Sequence, residues 1–266
     1  MERKSVLVLK IGGSILDDAA MLNACLTQFA LLPQPKILVH GGGAIATKIG
    51  AQMGIGARYH NGRRITDAPT LALVTMVYAG LLNKQVVAQL QSLGCNAFGC
   101  TGADGNLIVA NKRAASPIDF GFVGDIADGA ANISLINTLF KADITPVFAP
   151  ITHDGYGQLL NTNADSIAQA LAVSLQQDFD VSLIYGFEKK GVLLNMIDEE
   201  SFLNQLTTEQ YKTMIAQGAI TDGMLPKLNN AFAASAKGVQ RVIIGNALAL
   251  AEILNGDSGT IVDSNA

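Results

Sequence analysis

The chain twice runs an apolar strand straight into glycine. Val6-Leu7-Val8-Leu9-Lys10-Ile11 ends at Gly12-Gly13-Ser14, and Lys36-Ile37-Leu38-Val39-His40 ends at Gly41-Gly42-Gly43. Each run has strand length and leads into a helical pattern. A strand-glycine-helix turn bares backbone amides at the positive end of a helix, which makes an anion cradle. Two cradles on neighbouring strands suit a reaction between two anions. Lys10 at the tip of the first suggests charge neutralisation during phosphoryl transfer. Tight βα turns alone account for either glycine run taken singly; the pair, with a lysine, favours the chemical reading.

Strand and helix patterns alternate along the rest of the chain, which predicts an α/β fold with a mostly parallel sheet and helices on both faces. Helices are expected over 18–32 and 44–54, and a long one over 67–93 opened by Thr66-Asp67-Ala68-Pro69 and closed by Gly94. Asn61-Gly62, between Arg58-Tyr59-His60 and Arg63-Arg64-Ile65, is a hairpin turn signal. Strands are expected at 96–100, 107–110 and 145–150, followed by a helix over 164–174. A second half opens near Asp180, with strands at 181–185 and 241–244 and helices at 207–217 and 226–237. No Pro/Gly/Ser-rich linker separates the halves, so they are expected to share one sheet, with the active site at the carboxyl ends of its strands.

A length of 266 residues suits one large α/β domain or two lobes on one sheet. Only 15% of residues are charged, and the net charge of −4 comes with no basic patch for nucleic acid. Anionic substrates must then be held by local cations rather than by the overall field. Cys25, Cys95 and Cys100 have no metal-ligand spacing and read as small buried hydrophobes of a reducing cytosol. Met1-Glu2-Arg3-Lys4 is too short for the basic start of a signal peptide, and no uninterrupted apolar run approaches the ~18 residues of a membrane span. A cytoplasmic protein without a membrane partner is expected.

Asn161-Thr162-Asn163-Ala164-Asp165 opens a helix with more polar side chains than a cap needs, although capping alone is a workable reading. Lys227 follows Pro226 just inside another helix start, where a cation opposes the helix dipole. Arg63 and Arg64 follow the hairpin turn. One of them can fork onto a carboxylate, but residue type alone favours surface positions. His40, His60 and His153 lack metal-ligand spacing, and His40 is placed to brace its glycine turn. The sequence holds no Walker-type GxxxxGK[ST], no GxGxxG with a distant acid, no HRD catalytic loop and no GxSxG elbow.

The stretches KIGGS from Lys10, VHGGG from Val39, NGRRIT from Asn61, TGADGNLI from Thr101, DFGFVGDI from Asp119, PVFAPI from Pro146, NTNAD from Asn161 and ITDGM..K from Ile220 to Lys227 span nearly the whole chain. In these motifs and their order the chain resembles the amino acid kinase family, on its branch that phosphorylates N-acetylglutamate. The resemblance implies an open αβα sandwich, with residues 1–178 forming an N-terminal lobe for N-acylglutamate and dimerisation and 179–266 a C-terminal lobe for ATP. It implies phosphorylation of the substrate γ-carboxylate in arginine biosynthesis. Lys10 and Lys227 match the lysines that neutralise the phosphoryl group in flight, and Asp165 the carboxylate that orients them. Gly12 and Gly13 match the turn facing the nucleotide phosphates, and Gly42 and Gly43 the amides near the acceptor. Arg64 and Asn161 match the clamps on the α-carboxylate. The cofactors implied are ATP and Mg²⁺, the ion held mainly by phosphates and water rather than by a protein metal motif.

The family's Thr/Ser-Asp pair after the second-lobe strand is replaced here by Tyr185-Gly186-Phe187-Glu188-Lys189-Lys190-Gly191-Val192, which puts the adenosine contacts in question. Pro226 replaces the usual residue before the second lysine. The alternative acceptor is N-succinylglutamate, for which Lys48, Arg58, His60 and Arg63 are the candidate additional cations. Carbamate, aspartate and UMP kinases are rivals within the family, and an inactive dimeric sensor on the same fold is the rival outside enzymology. A homodimer through the helix at 67–93 is implied, because Leu71 to Tyr78 carries more apolar faces than a lone surface helix needs.

Overall fold

The computed structural model describes residues 3–194, 198, 201–218, 220 and 224–264. In chain order the first elements are β1 (Lys4–Ile11), α1 (Gly13–Asp17), α2 (Ala19–Leu31), β2 (Lys36–His40), α3 (Gly43–Gln52), and the hairpin strands β3 (Arg58–His60) and β4 (Arg63–Ile65). Next come α4 (Ala68–Val74), a π-helical stretch Thr75–Leu82, and α5 (Asn83–Ser92), which form one continuous helical run. β5 (Ala97–Cys100), β6 (Asn111–Lys112), β7 (Val123–Asp125), α6 (Ile133–Lys141), β8 (Thr145–Phe148), β9 (Ile151–His153), β10 (Leu159–Thr162) and α7 (Ala164–Leu175) complete the first half. The second half holds β11 (Phe179–Phe187), β12 (Gln205–Thr207), α8 (Thr208–Ala216), α9 (Leu225–Ala236), β13 (Arg241–Asn246), α10 (Leu250–Asn255) and β14 (Thr260–Asp263).

Eight strands form one sheet in the order β12-β14-β13-β11-β1-β2-β8-β5, parallel except for the β13–β14 pair. Side chains alternate across a strand, and β1 uses both faces. Val6 and Val8 join a core with Ile167 and Leu171 of α7 and Leu228 of α9. Leu7, Leu9 and Ile11 join a second core with Leu22, Leu26 and Phe29 of α2. Helices therefore cover both faces, the αβα sandwich that the resemblance implies. The register pairs Ile11 with His40 of β2 and with Gly186 of β11. The turns at Gly12-Gly13, at Gly41 to Gly43 and at Phe187-Glu188 thus leave the sheet side by side.

A smaller sheet, β6-β7-β10-β9, carries Asn161. In the β3–β4 hairpin, Asn61 and Gly62 take φ of 47° and 72°, the left-handed pair that the Asn-Gly signal requires. Asp67 caps α4 by accepting from the Thr70 amide at 3.0 Å.

Three expectations need correction. Leu107 to Ala110 is not a strand: it makes single bridges from Ile108 to Ala131 and from Val109 to His153. The segment is apolar because Leu107 and Ile108 are buried in the core beneath α6. The long helix also buries within the chain most of the Leu71 to Tyr78 run that the sequence assigns to a dimer face. Leu71, Leu73, Val74, Val77 and Tyr78 face Ala46, Ala149 and Ile151, while Met76 and Leu81 stay outside. Finally, the 25-residue run Ala68–Ser92 is long and apolar enough to cross a membrane by length and composition. It packs its inner face into that core and also carries the buried polar residues Thr70 and Asn83. Thr221, Asp222 and Gly223 of the ITDGM motif lie outside the described residues.

Candidate active site

Lys10 ends up on the central strand with its ammonium folded under the turn it introduces, and both Lys10 and Asp165 are buried. Their ion pair is 2.7 Å from Nζ to Oδ1. Asp165 Oδ1 nonetheless makes no aligned hydrogen bond, so charge rather than directional bonding holds the contact. Asp165 is free for this because Asn163 caps α7, its Oδ1 accepting from the amides of Asp165 at 2.7 Å and Ser166 at 3.1 Å. The polar run before α7 therefore divides its work: Asn163 caps, Asp165 pairs with Lys10, and Asn161 lines the cleft.

Lys227 sits in the first turn of α9, its Nζ 5.2 Å from the centroid of the Phe187 ring. Burial holds its pKa below the ordinary lysine value, and Lys10 adds to the depression. Asp165 and Glu188 pull the other way. Lys10 and Lys227 are thus two cations sharing one buried carboxylate. That arrangement leaves net positive charge beside Asp165.

The second glycine turn is braced from below. His40 is fully buried, and burial pushes its pKa down to about 4, so the ring is neutral. Nδ1 donates to the Gly41 carbonyl at 2.8 Å and Nε2 accepts from Asn83 Nδ2 at 3.2 Å, a tautomer assigned from these partners. Asn83 also donates to Val147 O at 2.9 Å. At Gly42, φ is 141°, and a Cβ there would lie 2.3 Å from Leu82 Cδ1, so only glycine fits. At Gly43 a Cβ would meet nothing within 4 Å. The backbone of Gly43 faces open space in a cleft of 340 Å³ whose walls include Gly42, Gly43, Arg64, Asn161 and Asn163.

Arg64 is buried, not the surface side chain that residue type alone favours. Its Nη2 donates to Gly43 O at 2.8 Å, to Thr47 Oγ1 at 2.7 Å and to the Tyr59 hydroxyl. The guanidinium stacks 4.8 Å from the Tyr59 ring centroid. Asn161 Nδ2 donates to Thr66 Oγ1 at 2.9 Å. Arg63 also lines the cleft, half-buried, beside an Arg113–Asp125 ion pair. Of the other proposed cations, Arg58 is exposed and paired with Asp67, and Lys48 and His60 are exposed. Lys10, Asp165 and Lys227 adjoin the cleft without forming its walls. Every site residue expected from sequence therefore falls at or beside one end of the main sheet. Thr47, Tyr59, Asn83 and Glu188 were not expected there. Glu188 had a signal, since it stands where the loop departs from the family pattern.

The model of the amino acid kinase family matches residues 5–246. The chain belongs to the amino acid kinase family. Like an amino acid kinase, it shares its fold with the carbamate kinase of Giardia lamblia, at a TM-score of 0.73 and 15% identity, covering 99% of both chains. An acetylglutamate kinase of Phocaeicola vulgatus is 47% identical over 98% of this chain and 99% of its own length. That of Bacteroides fragilis is 48% identical over 97% of each.

Proposed function

We propose that this amino acid kinase transfers the γ-phosphoryl group of ATP to the γ-carboxylate of N-acetyl-L-glutamate, giving N-acetylglutamyl 5-phosphate in arginine biosynthesis. The observation that carries the reading is the Lys10–Asp165 pair with Lys227, set beside a cleft whose walls are the second glycine turn, Arg64 and Asn161. The two relatives named above, both acetylglutamate kinases, support the acceptor.

A carboxylate is ionised at neutral pH, so the nucleophile needs no general base. The barrier lies in bringing two anions into line. Lys10 and Lys227 neutralise charge on the phosphoryl group in flight, and Asp165 orients both. The amides of Gly12 and Gly13 face the nucleotide phosphates, and those of Gly42 and Gly43 face the acceptor and the transferring group. Arg64 and Asn161 hold the α-carboxylate. Residues 1–178 serve as the acceptor lobe and 179–266 as the ATP lobe. When bound, Mg²⁺ would be held mainly by the nucleotide phosphates and water and would neutralise charge there. Of the carboxylates near this site, Asp165 is paired with Lys10 and Glu188 accepts from Ser14.

A coupled ADP-release assay with acetylglutamate, succinylglutamate, glutamate, aspartate, carbamate and UMP tests the reading. The highest kcat/KM is expected with acetylglutamate; a value well above it for succinylglutamate reassigns the acyl group and makes Arg63 its partner. Arg64→Lys is expected to raise KM for the amino acid about tenfold or more and to leave KM for ATP nearly unchanged, because an ammonium cannot fork onto a carboxylate. Equal effects on both constants would remove Arg64 from the acceptor site.

The functional unit is a homodimer in the cytoplasm. Three free, buried cysteines suit a reducing compartment. β5 is an edge strand with Phe98 exposed, and Met76 and Leu81 lie exposed on the helical run whose last segment, α5, packs against β5. Light scattering at micromolar concentration is expected to give twice the 27.8 kDa chain mass; a monomer mass would end the dimer reading.

A further inference from the structure

Glu188 leaves β11 two residues past Gly186, which the register sets beside Ile11. That brings it to the first glycine turn, where Ser14 Oγ donates to its Oε2 at 2.5 Å across 174 positions of sequence. A carboxylate beside a phosphate cradle repels nucleotide, so its presence there calls for an account. Lys227 rests over the ring of Phe187, the residue just before Glu188. We infer that Glu188, together with Phe187, is a positioning residue for phosphoryl transfer: anchored by Ser14, it holds the Lys227 ammonium in place and ties the loop after β11 to the turn after β1. The inference rests on the role for Lys227 given above.

Among the described residues, the charges facing Lys227 come from three elements. Lys10 on β1 is repulsive, and Asp165 on α7 is attractive but already shared with Lys10. Glu188, after β11, is the second attractive charge, and α9 carries no charged residue besides Lys227 itself. An ammonium that is desolvated and set near another cation tends to shed its proton. Phe187 contributes through its ring face, which attracts a cation without adding an anion near the phosphates. Ser14 fixes the carboxylate in place. It also makes the loop that replaces the family's Thr/Ser-Asp pair a supplier of charge to the lysine.

Lys227 acts protonated, so activity falls as pH rises through its pKa. Loss of a nearby negative charge lowers that pKa and brings the fall to lower pH. Glu188→Gln keeps the size of the side chain and can still accept from Ser14, but carries no charge. Its kcat is expected at least about threefold below that of the wild type, with the gap widening as pH rises and the alkaline limb displaced downward. Phe187→Leu is expected to displace the limb in the same direction. Calorimetric binding of a non-hydrolysable ATP analogue, measured without acceptor, is expected to weaken at lower pH in Glu188→Gln than in the wild type. Because this arm needs no acceptor, it judges the inference even if the acceptor is wrong. Coincident alkaline limbs and coincident binding curves for Glu188→Gln and wild type would overturn the role while leaving the kinase reading intact. Glu188 is exposed, so its variant folds and decides the matter even if Phe187→Leu does not.

Discussion

Alanine at Lys10 is expected to lower kcat by at least about 100-fold, and alanine at Lys227 to do the same, because each would remove a preorganised charge from the transition state. The two differ in what they leave behind. Lys10→Ala strands Asp165 in a buried site without its 2.7 Å partner. Lys227→Ala relieves Lys10 of a neighbouring cation and empties the space over Phe187. Both are expected to raise KM for the acceptor less than they lower kcat. The double variant is expected to lose less than the product of the single losses, as for groups acting as a unit. Retention of more than half of wild-type kcat in either single variant would remove that lysine from the chemistry.

Asp165→Asn keeps the volume of the side chain and removes its charge. Among the described residues, two cations then face each other with Glu188 as the counter-charge left at Lys227. We expect kcat to fall on the order of 100-fold. Lys227, already below the ordinary lysine range, is expected to lose its proton at still lower pH, so the alkaline limb shifts down here too. Breaking a buried ion pair by removing one partner costs on the order of 3 kcal/mol, readable in urea unfolding. Wild-type turnover with a wild-type pH profile would leave Asp165 as a residue of the α7 first turn and nothing more.

Much of this site was legible because its parts are local. A strand that ends in glycine announces its own turn, and Asn61-Gly62 announces its left-handed pair of φ angles. The motifs then set Lys10, Arg64, Asn161, Asp165 and Lys227 in order along the chain. What failed to show in sequence is what distance in the chain hides. Nothing near Glu188 points to Ser14, and nothing near Arg64 points to Thr47 and Gly43. Leu107 to Ala110 looks like a strand because burial selects the same residues whether or not a ladder forms. The smaller sheet is built from strands of two to four residues, too short for alternation to register. The π-helical stretch is equally silent. Over eight residues its period is too close to that of an α-helix to separate, yet it sets Leu82 against Gly42 and precedes Asn83, the partner of His40.

The central place of β1 has a mechanical consequence. A hinge is a few loop residues that absorb large backbone rotations. Here the strands of the two halves meet instead along a ladder of eight paired positions, Lys4 to Ile11 against Phe179 to Gly186. An angular change between the halves is then carried by twist of the shared sheet and spread over many bonds, each yielding a little. Such a joint is expected to resist bending as one spring, with displacement smallest beside the shared ladder to which Lys10 belongs.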